Sequence, residues 1–222
     1  MGERLEFSAL KHAQEGPVIT ISRECGCPGN EIAEMLSKKL NLRIGKERTH
    51  SDWKWVSKEI LLKASHELKI NPKDVESFIK SNEKGMLHDL VASFTETNFV
   101  RNAKIKKTIY DVIRNLACEG HVVIVGRGGG AIVWDIPKSL HIYLEAPLSW
   151  KTNVISNQKG ISIAEARKFV IESDMQRKRF RDSFRSEFSD EIYYEERFNC
   201  KVLSNDRICD LVIQAAELKK LI

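Results

Sequence analysis

ITISRECGCPGNEIAEML, spanning Ile19–Leu36, decides how the chain is read. Pro17 to Ser22 reads as a buried strand, Gly26 and Gly29 permit a sharp turn, and a helix follows. Ile32, Met35, Leu36 and Leu40 recur at spacings of three and four, an apolar stripe suited to covering a sheet. Asn30 is the expected N-cap of that helix. Strand, small-residue turn and helix are the layout of a phosphate-binding loop. Backbone N–H groups around Gly26, Cys27 and Gly29, with the positive end of the helix, make an anion site. The GxxxxGK[ST] pattern is not satisfied, however, since neither the lysine nor the following Ser or Thr is present. The competing reading is that the glycines merely let a strand turn into a helix.

The bulk numbers bound the answer. A chain of 222 residues is one large domain, or a domain with an appended lid. Its 42% hydrophobic and 30% charged residues are those of an ordinary globular protein. No apolar run approaches the ~20 residues of a membrane helix, and the N-terminus lacks the apolar centre of a signal peptide. The expected location is therefore the cytoplasm, away from membranes. Five cysteines without a CxxC pair suit a reducing compartment, and Cys25 and Cys27 read as small turn-lining residues. A net charge of +5 favours anionic ligands without separating nucleotides from nucleic acid. Residues 1–16 read as an N-terminal extension, and nothing in the sequence indicates an oligomeric state.

Strands and helices then alternate. The stretch 53–117 reads as largely helical, with Asn71-Pro72 opening a helix that carries Val75, Phe78 and Ile79. Ile105, Ile109, Val112, Ile113 and Leu116 mark another amphipathic helix. His121–Val125 and Ser139–Leu144 read as strands, the former buried on both faces. Pro147 opens a helix through Ile155, and Ser162 with Glu165 forms a capping box for a helix to about Phe184. Lys201–Ser204 is expected as a last strand, before a helix whose apolar face carries Leu211, Val212, Ala215, Leu218 and Ile222. This alternation predicts an α/β fold with a parallel sheet covered on both sides. Ligands in such sheets bind at the carboxyl ends of the strands, where both glycine-rich turns lie.

The second turn is Gly126-Arg127-Gly128-Gly129-Gly130. An arginine directly after a buried strand is costly unless something anionic pairs with it, and a guanidinium fork suits phosphate or carboxylate. An ion pair with a neighbouring acidic loop is the alternative. A third signal is DMQRKRFRDSFR, Asp174–Arg185, where Arg177, Arg181 and Arg185 recur every four residues along one helix face. Taken alone, a solvated face paired with Glu172, Asp174, Asp182 and Glu187 is the better explanation.

With those blocks in view the sequence resembles the cytidylate kinase-like family, nucleoside monophosphate kinases within the P-loop fold. The likeness covers most of the chain from Pro17 onward. It rests on ITISRECGCPGNEIAEML, GHVVIVGRGGGAI, LHIYLEAPLSWK, DMQRKRFRDSF and KVLSNDRI in that order. The resemblance implies a three-layer fold with about five parallel strands, a helical monophosphate-binding insertion at about 46–118, and an arginine-bearing lid at about 157–197, all within a domain 17–222. It also implies ATP and Mg²⁺, nucleotide substrates, and γ-phosphoryl transfer to CMP or dCMP. By position, Ser22, Arg23, Gly26, Cys27, Gly29, Asn30 and Glu31 would surround the ATP phosphates, and Arg127 with Gly128 would meet the monophosphate. Arg177 and Arg181 fit the lid arginines, which with Arg23 form the expected catalytic set. Asp182 and Arg185 would help hold the acceptor, although Asp174-x-x-Arg177 offers a second register.

Three departures stand out. Gly29 occupies the position of the lysine, which closer relatives also lack, and Glu31 occupies the Ser/Thr position, where its carboxylate would bind Mg²⁺ instead. Pro28 replaces a glycine and removes one N–H from the cradle. Gly128 stands where cytidylate kinases carry an Asp. A kinase is therefore the first expectation. The second is a catalytically weak or inactive nucleotide-binding regulator of the same fold. The third, a nucleic-acid-binding module, ranks last because acidic residues interrupt the basic helix and the glycine turns go unexplained.

Overall fold

The computed structural model describes residues 16–44, 52–73, 75, 96–184 and 194–222. Five strands form one sheet: β1 (Val18–Arg23), β2 (Lys54–Val56), β3 (Val122–Val125), β4 (Ser139–Glu145) and β5 (Glu196–Asn199). Their order is β2-β3-β1-β4-β5, and every pairing is parallel. Seven helices accompany them among the described residues: α1 (Gly29–Ile44), α2 (Glu59–Leu68), α3 (Glu96–Glu119), α4 (Gly129–Ile132), α5 (Leu148–Lys159), α6 (Ile163–Asp182) and α7 (Asn205–Leu218).

Period-two alternation along the central strands builds the layers. Val18 of β1 with Val122 and Ile124 of β3 join one apolar cluster, filled from α2, α3 and α4 by residues such as Ile60, Ile109 and Ile132. Ile19, Ile21, Val123 and Val125 point the other way, into a cluster completed by Ile32, Leu36 and Leu40 of α1 and by Ile208, Val212 and Ile213 of α7. The sheet is thus sandwiched between helices, as the alternation of apolar segments predicts. Lys39 of α1 reinforces the second layer by bridging Asp206 and Asp210 of α7 at 2.6 and 2.7 Å. No helix among the described residues is long and apolar enough to cross a membrane.

Several sequence expectations shift. The last strand is Glu196–Asn199, not Lys201–Ser204; the latter is a turn that ends in Ser204, the N-cap of α7, whose hydroxyl accepts from Arg207 N–H. The buried stripe of α7 is Ile208, Cys209, Val212, Ile213 and Ala216, whereas Leu218 is exposed. A helical period read from its C-terminal apolar residues was therefore rotated by about one position. Residues 54–56, expected inside the helical insertion, are the edge strand beside β3, a segment too short to show its alternation. Asn30 is not the cap of α1: the Pro28 carbonyl accepts the first helical bond, from Ile32 N–H at 3.0 Å, which makes Pro28 the N-cap. The helix after Asn71-Pro72, with Phe78 and Ile79, lies outside the described residues, although Asn71 does accept from Lys73 N–H at 2.9 Å as a cap should. The Ser162–Glu165 capping box is present.

Candidate phosphate site at the mouths of two strands

The turn after β1 is held from below by a buried charge cluster. Lys151 of α5 has a side chain only 7% exposed, and it donates to Glu24 Oε2 at 2.8 Å and to Asp174 Oδ2 at 2.7 Å. Burial pulls its ammonium down, but the hydrogen bonds to Asp174 and Glu24 outweigh that and leave it above its ordinary value. The other oxygen of Asp174 accepts from Cys25 N–H at 2.6 Å, and Glu24 accepts from Ala146 N–H at 3.1 Å. Each of the two carboxylates thereby accepts from both the ammonium and a backbone N–H, which is what makes buried charge tolerable. These contacts fix the loop to α5, α6 and the end of β4.

Above the loop, Arg23 lies across both glycine turns. A Cβ at Gly29 would sit 2.9 Å from Arg23 Cδ, and one at Gly126 only 1.9 Å from Arg23 Nη1. Glycine is therefore required at both places so that this side chain can cross from the first strand's mouth to the second. Arg177 donates to the Arg23 carbonyl at 3.2 Å. Burial, together with the nearby Arg177 and Arg127 guanidiniums, pushes Arg23 down to about 9, with Glu31 opposing the shift. Three guanidiniums thus converge where two parallel strands end. Such like charge in a partly dry site is relieved by an anion.

The second turn is built differently. Gly126, Arg127 and Gly128 all have positive φ, +70°, +58° and +74°. For Arg127 this left-handed backbone costs on the order of 1–2 kcal/mol, a strain that aims its side chain beside Arg23. Gly128 is the N-cap of α4, and a Cβ there would meet the Phe184 ring at 2.8 Å. Behind the turn, Thr20 Oγ1 bonds His141 Nδ1 at 2.8 Å, and His141 Nε2 bonds Ser139 Oγ at 2.9 Å. Burial drives this imidazole down to about 4, a push to which Lys219 adds and which Glu195 opposes.

Helix α6 spans the two turns. Ala166 and Val170 pack against Cys25 and Ile155 at one end, while Phe180 and, just past the helix, Phe184 pack into the α2–α3 layer at the other. Asp174 and Arg177 lie between these apolar anchors, on the loop. The structure thus brings the Asp174-x-x-Arg177 register to the turn after β1. Asp182 instead pairs with Lys178 at 2.8 Å and with Arg181 at 3.8 Å. Arg181 reaches the Tyr143 and Tyr194 rings, 5.8 and 5.9 Å from their centroids, rather than Arg177's position. Arg185 lies outside the described residues. Ser22 is buried, close to the position a Cβ on Gly130 would occupy. Gly26 turns with φ +83°, Cys27 is half-buried and Glu31 is exposed in the first turn of α1. Asn30 Oδ1 is buried with no hydrogen-bond partner. The Gly29 N–H is used internally, donating to the Cys27 carbonyl at 2.9 Å.

Sequence reading missed Lys151, Glu24, Tyr143 and Tyr194. The signal for Lys151 was available: it shares the buried face of α5 with Thr152 and Ile155, and a lysine on an apolar face requires acidic partners. No periodicity marks the tyrosines, which meet at 4.9 Å only because β4 and the segment before β5 are neighbours.

A structure of an uncharacterized protein from Eubacterium ventriosum superposes with a TM-score of 0.62 at 21% identity, covering 91% of this chain and 99% of that one. Shikimate kinase from Bacteroides thetaiotaomicron follows with 0.51 at 11%, covering 90% and 98%. Shikimate kinase from Acinetobacter baumannii, solved in complex with shikimate, gives 0.50 at 10%, covering 96% and 99%. At these identities the likeness shows a shared fold, that of P-loop kinases. No curated protein matches the sequence. The model of the cytidylate kinase-like family matches residues 18–201. With most of its length matched, the chain belongs to the cytidylate kinase-like family, which supports a function of the nucleotide-kinase type.

Proposed function

We propose that the protein is an ATP-dependent kinase that transfers a phosphoryl group to CMP, dCMP or a related acceptor. The observation that carries this reading is the convergence of Arg23, Arg127 and Arg177 over two glycine turns at the strand ends. Phosphoryl transfer asks little of a protein beyond positioning and charge neutralisation. Arg23 crosses Gly29, the position of the missing lysine, so its guanidinium supplies the cation from the strand side. Arg177, held at the loop by its hydrogen bond to the Arg23 carbonyl, supplies the lid cation. Arg127 faces the acceptor phosphate. Arg181 lies near the Tyr143 and Tyr194 rings beside that mouth.

The residues present fit a phosphate-bound Mg²⁺ better than a protein cage. Among the described residues no three His, Cys, Asp or Glu groups come together as metal ligands. Mg²⁺ on nucleotide phosphates needs only one or two carboxylates and keeps several waters. Glu31 would be that carboxylate, and the unpartnered Asn30 oxygen would accept from a bound water. When bound, the nucleotide and its ion supply the γ-phosphoryl group; the chain's part is to hold it and offset its charge.

A second reading has its own observation. Pro28 has no N–H, and the Gly29 N–H is engaged by the Cys27 carbonyl, so two donors of a phosphate cradle are withheld. That favours a nucleotide-binding regulator with little or no turnover. A coupled assay with ATP and Mg²⁺ against CMP, dCMP, other nucleoside monophosphates and shikimate separates the two. The kinase reading expects phosphorylation of at least one acceptor, reduced by about 10²–10³ in Arg23→Ala or Arg177→Ala, the usual effect of losing one preorganised donor. Nucleotide binding without turnover of any acceptor leaves the regulator.

A further inference from the structure

Cys27 lies in the phosphate turn and Cys200 directly follows β5, two strands away in the sheet. Glu24 N–H donates to the Leu144 carbonyl and Cys200 N–H to the Glu145 carbonyl, at 2.9 and 2.8 Å, which brings both segments over the end of β4. The two thiols hydrogen-bond to one another, are each half-buried, and pack against the same apolar cluster. Cys209 is different: it is wholly enclosed, donating to the Ile32 carbonyl at 3.6 Å, and behaves as a small core residue. The hydrogen bond from Cys27 favours the Cys200 thiolate and holds Cys200 below the usual thiol range, while the same bond pushes Cys27 up. A half-buried thiol whose thiolate is favoured by a second thiol beside it is the arrangement that oxidises selectively.

We propose that Cys27 and Cys200 are a thiol pair that a hydroperoxide closes to a disulfide, clamping the phosphate loop in the conformation that withholds the Gly29 amide. The Cys200 thiolate attacks one peroxide oxygen, the O–O bond breaks, and the alcohol or water leaves after taking a proton from solvent. Cys200 is then a sulfenic acid. The Cys27 sulfur attacks the Cys200 sulfur, the S–S bond forms as S–O breaks, and water departs with the Cys27 proton. Gly29 N–H reaches a phosphate only if the Cys27 peptide turns away from it, and a bond from Cys27 to the end of β5 opposes that rotation. The consequence for nucleotide rests on the proposed function; the disulfide and the clamp do not.

The full reduced chain is treated with a small excess of hydrogen peroxide, then mapped by mass spectrometry without reductant. The expected product is one linked pair of peptides carrying Cys27 and Cys200. Amide exchange of the segment 25–31 slows, ATP binds about tenfold more weakly, as for loss of one charge-assisted hydrogen bond, and dithiothreitol reverses all three. Cys200→Ser abolishes the link and leaves the ATP affinity of the reduced protein unchanged. Oxidation confined to Cys118, or a link that leaves amide exchange unaltered, overturns the proposal. If the reduced protein binds no ATP, the kinase and regulator readings both fall, while the linked peptide and the slowed exchange still decide the clamp.

Discussion

The turns after β1 and β3 perform similar work by opposite means. The first has one left-handed residue, Gly26, and owes its shape to charge: Glu24, Lys151 and Asp174 grip it from beneath. The second has three consecutive left-handed residues and owes its shape to backbone strain, the Phe184 ring and the neutral His141 network behind it. A turn held by ion pairs fails when a partner is removed. A turn held by strain and packing fails when volume is added, and gains stability when the strained side chain is taken away.

Removing the acidic partner should therefore give the largest effect. Asp174→Ala leaves Lys151 with one carboxylate and Cys25 N–H with none, and is expected to destabilise the fold by about 3–5 kcal/mol, read from urea unfolding. A loss below about 1 kcal/mol would mean the first turn does not depend on that cluster.

Acid tests the second turn through His141. Its folded-state value, about 4, lies below the ordinary 6.5, so the unfolded chain binds more protons between them. Stability is full above about pH 6.5 and declines toward pH 4, by roughly 3 kcal/mol at about 1.36 kcal/mol per unit. A His141→Gln variant, compared with the parent from pH 7 to 4, should lose that share of the acid sensitivity; an identical pH profile would remove the histidine from the account.

Smaller effects sharpen the contrast. Arg127→Gly relieves left-handed strain and should raise stability by up to about 1 kcal/mol, against the backbone entropy of glycine, while abolishing acceptor phosphorylation in the coupled assay. Stability lost together with activity would mean that Arg127 holds the turn rather than serving a ligand. Ser162→Ala removes the capping box of α6 and should cost about 1 kcal/mol in thermal unfolding, shared by both turns because α6 is anchored on each.

How much of this was legible beforehand varies with the range of the interaction. The strands β1, β3 and β4, the stripe of α1, α3 and the capping box of α6 were readable because period and cap are written in adjacent residues. Both glycine turns and the arginines around them were visible for the same reason. The register of α6 was not, since Arg177 and Arg181 differ only in what faces them. The edge strand Lys54–Val56 was hidden by its brevity, and the face of α7 by apolar residues at its C-terminal end.

By itself, then, the sequence determined a parallel α/β sheet with two small-residue turns at its carboxyl edge and a surplus of cations near them, because local periodicity and glycine placement suffice for that. Only the tertiary structure decided that Lys151 is the buried keystone of the first turn, that Arg23 crosses both turns, and that Cys27 meets Cys200. Those partners lie far apart along the chain, and contact between distant residues is set by how strands order and helices pack, which no local pattern encodes.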